Sequence, residues 1–201
     1  MSQLLVESIR IEFKQLQHVE YHNMRFNSAR KAMFGIDNKI YLDEMIVIPE
    51  SISDNRYKCR ITTNGKSINY DISEYHQKEI KLLKIVYCNT IDYSIKTDNR
   101  DQLNSLYDKK ENCDDIIIVK NGLIADSSSA NIILFDGRKW VTPNSPLLKG
   151  TMRQYLLNHK LVKEEEAKIE NLNRYKKIKL INAMIDFDRA SEVQIPSGIL
   201  Y

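Results

Sequence analysis

Three two-residue turn signals constrain this chain more than any other feature. Asn64-Gly65, Asn121-Gly122 and Asp136-Gly137 each separate two runs rich in apolar and β-branched residues. The tightest hairpin turn needs positive φ at both central residues, and Asn-Gly or Asp-Gly supplies it at little cost. The first signal predicts a hairpin of residues 57–63 with 67–72. The second folds 115–120 back onto 123–126, and the third folds 131–135 onto 139–142. Around these hairpins, residues 4–13 alternate in polarity as a strand with one apolar face, and 15–20 are placed as its return strand. Further strands are expected at 40–48, ending at Pro49, and at 79–89, 162–169, 179–184 and 192–195. Helical spacing appears over 21–34, where Phe26, Ala29 and Met33 recur before Gly35, and helices are also expected at 102–110 and 150–159. Many strands, tight hairpins and a few helices make the fold class α+β.

Composition narrows the function classes. Thirty Lys and Arg stand against 27 Asp and Glu in 201 residues, a net charge of +3. That near balance argues against a nucleic-acid surface. The longest apolar runs, 116–119 and 132–135, fall far short of the ~20 residues of a membrane helix. Glu7 interrupts the N-terminal apolar stretch, so no secretory core is expected there. Three separated cysteines, Cys59, Cys88 and Cys113, fit reduced thiols in a cytoplasmic protein and neither a disulfide framework nor a metal site. The polar stretch 89–101 is the expected lobe boundary. It divides a small N-terminal α+β lobe, 1–92, from a larger lobe, 93–201.

Several local motifs have plain readings. Asn64-Gly65-Lys66-Ser67 ends like a phosphate-binding loop, but the glycine such a loop needs is Arg60, and a hairpin turn accounts for the segment. His18 and His22 are four apart, yet no third ligand lies near them and no metal is expected. Ser127-Ser128-Ser129 lacks the glycines of a nucleophile elbow and reads as a polar loop between strands. The 163–166 charge run reads as a solvated face.

A spaced set of residues in the second half carries more. It comprises Lys96-Thr97-Asp98-Asn99-Arg100, then Gly122 and Asp126 followed by Asn131-Ile132-Ile133, then Thr142-Pro143, then Leu148-Lys149-Gly150-Thr151-Met152-Arg153. In order and spacing this set resembles the class IV, or fold type IV, pyridoxal-phosphate (PLP) enzymes. That family includes aminodeoxychorismate lyase, branched-chain aminotransferase and D-amino-acid aminotransferase. The stretch from Lys96 to Arg100 and the segment Asn182-Ala183-Met184 are most similar to the lyase branch. In the first half, His22-Asn23-Met24-Arg25 resembles the family's His-Leu-x-Arg.

The resemblance implies two lobes with PLP in the cleft between them, a homodimer, and a small amino compound as substrate. It implies that Lys96 holds PLP covalently and acts as general acid and base. A lysine in that role must be deprotonated to attack an aldehyde, and burial beside other cationic groups favours the neutral form. It implies that Asp126 pairs with the protonated pyridine nitrogen that makes the cofactor an electron sink. The family has Glu at that position, so the side chain here is one methylene shorter. It implies phosphate binding by Arg25, by Gly150 and Thr151 at a helix start, and by the Asn182-Ala183 loop. The implied activity is that of an aminodeoxychorismate lyase, which converts 4-amino-4-deoxychorismate to 4-aminobenzoate and pyruvate. The alternatives are an amino-acid aminotransferase of the branched-chain or D-amino-acid type and a cofactor-binding protein without turnover.

Overall fold

The computed structural model describes residues 3–201. It resolves into two compact units. The first comprises the described residues up to Gln77 together with Ile95–Asn99. The second comprises Lys78–Ser94 and Arg100–Tyr201. Lys96 therefore belongs to the first unit.

The first unit is an antiparallel sheet in the order β2-β1-β3-β4, formed by β1 (Leu5–Glu12), β2 (Gln15–Leu16), β3 (Tyr57–Thr63) and β4 (Ile68–Glu74). Helix α1 (Val19–Phe34) packs on it, with Phe26 and Ala29 against Leu5, Ile9, Ile11, Cys59 and Ile61. Gly35 closes α1 at φ 70°, where its N–H reaches back to the Lys31 carbonyl. The β3–β4 turn is the expected hairpin. Asn64 Oδ1 accepts from the N–H groups of Lys66 and Ser67 at 2.9 and 3.0 Å, so the phosphate-loop look-alike is a capped turn. Residues 40–48 differ from the strand expected there. They hold the short helix α2 (Leu42–Met45), whose first N–H is capped by Asn23 Oδ1 of α1 at 2.8 Å. Leu42, its first residue, and Ile46, just past its end, are buried, and Asp43, Glu44 and Met45 between them are exposed. Residues 95–99 run beside β1: Val6 N–H donates to the Lys96 carbonyl at 2.9 Å, and Leu5 bridges Thr97.

The second unit holds two sheets. One, in the order β13-β5-β6-β7, contains β5 (Leu83–Tyr87), β6 (Asp115–Lys120), β7 (Leu123–Ile124) and β13 (Ile199–Leu200). The other, in the order β10-β9-β8-β11-β12, contains β8 (Asn131–Phe135), β9 (Trp140–Pro143), β10 (Lys163–Glu165), β11 (Lys177–Ile181) and β12 (Val193–Gln194). Helices α3 (Asp101–Tyr107) and α4 (Thr151–Asn158) complete the unit. Successive side chains of a strand point to opposite faces, and here both faces are buried. Ile117 and Val119 of β6 meet Ile132 and Leu134 of β8 in a core between the sheets. Ile116 and Ile118 pack with Leu103 and Leu106 of α3. Ile133 and Ile181 pack with Met152 and Leu156 of α4. The order of layers within this unit is thus α3, sheet, sheet, α4, which is why β6 and β8 read as unbroken apolar runs. The parallel pairing of β5 with β6 joins strands separated by α3 and its flanking loops.

Candidate active site

The expected site residues divide between the units. In the first, Glu7 lies on the apolar face of β1 with Leu5, Ile9 and Ile11, and is 1% exposed. Two α1 side chains meet it there. Arg25 donates from Nε to Oε1 and from Nη2 to Oε2, both at 2.7 Å, and His22 Nδ1 lies 2.8 Å from Oε2. Burial pushes the Glu7 carboxyl up, but the Arg25 charge, its two hydrogen bonds and His22 outweigh burial and hold it well below the usual carboxylate range. Burial lowers the His22 pKa further than Glu7 restores it, and the positive charges of Arg25 and Lys96 lower it too. His22 is therefore a neutral imidazole donating from Nδ1 to an ionised Glu7. Lys96, half-buried, is close enough to this cluster for its charge to act on His22. The Nε–Nη2 edge of Arg25 is engaged by Glu7.

Sequence reasoning passed over Glu7 except as an interruption. The signal was present: an acid at an inward position of an alternating strand must find a cation or lose its charge.

In the second unit, Asp126 follows β7 in the loop leading to β8 and is 6% exposed. Asn131 Nδ2 donates to Asp126 Oδ1 at 2.7 Å, and Leu148 N–H donates to Oδ2 at 2.9 Å. Burial pushes the Asp126 carboxyl up to about 6; hydrogen bonds from Leu148, Asn131 and Leu147 and the charge of Arg153 pull it only part of the way back. The 127–129 loop is a built turn: Ser127 Oγ accepts from the N–H groups of Ser129 and Ala130, and Ser128 N–H donates to buried Asp115 at 3.2 Å. The polar-loop reading of the three serines holds.

Gly150 stands immediately before α4 in extended conformation, and Thr151, buried, is the first helical residue. A Cβ on Gly150 would lie 1.9 Å from Asn131 Oδ1, so only glycine fits without rearrangement. Arg153, the third residue of α4, donates to Thr142 Oγ1 at 3.2 Å and to the Pro143 carbonyl at 2.9 Å, and pairs with Glu164. These bonds tie the helix start to β9 and β10. Asn182 Oδ1 accepts from Met184 and Ile185 N–H groups in a turn of its own, while Nδ2 donates to the Ser129 carbonyl at 3.2 Å. Asp126, Gly150 and Thr151 are thus joined through Asn131 and Leu148, and the Asn182-Ala183 turn is joined to the Asp126 loop. Lys96 and Arg25 are grouped separately around Glu7 and His22.

Within the second unit, the buried carboxylate of Asp126 and the glycine-led helix start with the Thr151 hydroxyl have the chemistry that suits a phosphorylated, ring-containing cofactor.

Comparison with known proteins gives this arrangement a family. The family model "Amino-transferase class IV" matches residues 4–193. An uncharacterized protein of Haemophilus influenzae is 34% identical over 182 residues, covering 90% of this chain and 97% of its own length. The crystal structure of a putative 4-amino-4-deoxychorismate lyase from Haemophilus somnus 129PT is 33% identical with a TM-score of 0.86, covering 93% of this chain and 99% of that one. A putative amino-acid aminotransferase from Mesorhizobium loti shares the fold at 15% identity and a TM-score of 0.81, covering 98% of this chain and 100% of that one. The chain belongs to the class IV aminotransferase family, whose enzymes use pyridoxal phosphate.

Proposed function

We propose that this chain is a PLP-dependent lyase acting on 4-amino-4-deoxychorismate to give 4-aminobenzoate and pyruvate. The observation that carries the reading is the 33% identity, across nearly the whole of both chains, with the Haemophilus somnus protein of that description. When bound, PLP supplies an electron-withdrawing ring that stabilises negative charge on the carbon bearing the substrate nitrogen.

The chain's residues supply the rest. Lys96 Nζ would hold the cofactor covalently, and its neutral amine would take the proton from C4 of the substrate. The electrons of that C–H bond form the new ring double bond as the C3–O bond breaks. Enolpyruvate leaves and gains a proton to become pyruvate, so no 2-oxo acid is consumed. Asp126 would keep the pyridine nitrogen protonated. Its burial excludes water, and a cation placed against it favours the ionised form that the site alone disfavours. Asp is shorter than the Glu of the resemblance, and its hydrogen bonds to Asn131 and Leu148 fix where its oxygens stand. Thr151, the N–H groups opening α4, Arg25 and the Asn182-Ala183 turn are the residues that would bind the cofactor's phosphate. The family resemblance further supports a homodimeric, cytoplasmic enzyme.

The test is direct assay of the purified, PLP-loaded chain. It should release pyruvate from 4-amino-4-deoxychorismate with no 2-oxo acid present. Turnover only with an amino donor and a 2-oxo acceptor would make it an aminotransferase. Bound PLP with neither reaction would make it a binding protein.

A further inference from the structure

Asn131, the first residue of β8 and 5% exposed, touches no reacting atom in the chemistry above. Its side chain nevertheless touches both parts of the second unit's donor set. Nδ2 donates to Asp126 Oδ1 at 2.7 Å and to the Leu148 carbonyl at 2.8 Å. The Leu148 N–H returns to Asp126 Oδ2 at 2.9 Å, which closes a ring of hydrogen bonds through one carboxylate, one amide and one peptide unit. On its other side Asn131 Oδ1 faces Gly150, the residue that opens α4, closely enough to exclude a Cβ there.

The chemistry of this ring selects an amide. Asp126 and the Leu148 carbonyl both present acceptors, so the group between them must donate twice. A carboxylate at 131 would face Asp126 with like charge, and an aliphatic side chain would leave two buried acceptors short of a donor. We propose that Asn131 is a positioning residue that fixes Asp126 and the start of α4 relative to one another. The ring-side and phosphate-side grips on the cofactor are then coupled. Asn131 acts through Asp126 and Gly150 and touches no reacting atom. The inference rests on the cofactor reading given above.

The test compares the affinities of PLP and of pyridoxal, which lacks the phosphate, for the full chain stripped of cofactor. The readout is spectrophotometric titration. The ratio of the two dissociation constants isolates the phosphate contribution, and a loss of general stability does not move it. Asn131→Ala should reduce the wild-type preference for PLP by about tenfold, the scale of one lost hydrogen bond to a charged group. Asn131→Ser keeps one donor and should reduce it less, and it serves if the Ala variant does not fold. Gly150→Ala should weaken PLP binding less in the Asn131→Ala background than alone, because the atom its Cβ would strike is gone.

An unchanged PLP-to-pyridoxal preference in folded Asn131→Ala or Asn131→Ser would overturn the positioning role. So would a fully additive loss in the double variant. A wild-type chain that binds neither compound would overturn the cofactor reading itself, and this inference with it.

Discussion

Each unit of this protein buries a carboxylate among apolar neighbours, and the two carboxyls are driven in opposite directions. Glu7 meets the fork of Arg25 and the Nδ1 of His22, and it ionises more readily than a carboxylate in water. Asp126 meets an amide and a backbone N–H, and it holds its proton up to about 6. Burial is similar in both. The difference lies in the partner: a full positive charge repays desolvation, whereas neutral donors repay part of it. The charge of Glu7 is therefore compensated within the fold by Arg25 and His22. Asp126 is a carboxylate that a bound cation would complete, which suits a residue awaiting a protonated ring nitrogen.

The largest effect is expected at Arg25. Arg25→Ala would strand Glu7 as a buried, uncompensated charge. We expect a loss of about 3–5 kcal/mol in urea unfolding. Asp126→Asn keeps shape and leaves no charge to strand, and it should cost far less. Equal losses for the two variants would contradict the contrast.

The pH dependence should separate the two next. Asp126 has its folded pKa raised from 3.8 to about 6. Between those values the folded chain holds a proton that the unfolded chain has released, so this group's contribution to stability falls as pH rises. The scale is about 3 kcal/mol across the window. Glu7, with its folded pKa depressed, contributes stability above the unfolded value near 4.5, which is lost as pH falls below it. Unfolding free energies of the cofactor-free wild type and Asp126→Asn, measured from pH 4 to pH 7, should therefore diverge in slope. Parallel profiles would remove the raised pKa from the account.

The smallest expected effect is at His22. His22→Gln keeps a donor within the neighbourhood of Glu7 while Arg25 stays in place, so a loss of about 1.5 kcal/mol or less is expected in the same unfolding assay. A loss as large as that of Arg25→Ala would mean that the imidazole carries charge.

The same contrast explains what could be read from the sequence. Asn64-Gly65, Asn121-Gly122 and Asp136-Gly137 announced their hairpins because turn chemistry is local. The start of α4 at Gly150-Thr151 and the family pattern from Lys96 to Arg153 were legible for the same reason: spacing survives in one dimension. Residues 40–48 hold a helix where a strand is expected because their outcome is tertiary. Asn23 of α1 caps Leu42, and the buried pair Leu42 and Ile46 then fits one helical turn. The parallel β5–β6 pairing and the short β13 were likewise set by partners distant in the chain. Glu7 was passed over because its meaning depends on Arg25 and His22, eighteen and fifteen residues away. The Asn131 ring was invisible because it closes through a backbone N–H of Leu148 that no side-chain motif reports.

Lys96 is the residue proposed to carry the cofactor, and borohydride reduction of the PLP-loaded chain, followed by proteolysis and mass analysis of the peptides, tests it most directly. A single pyridoxyl adduct, on Lys96, is expected. An adduct on any other of the chain's lysines, with Lys96 unmodified, would contradict it.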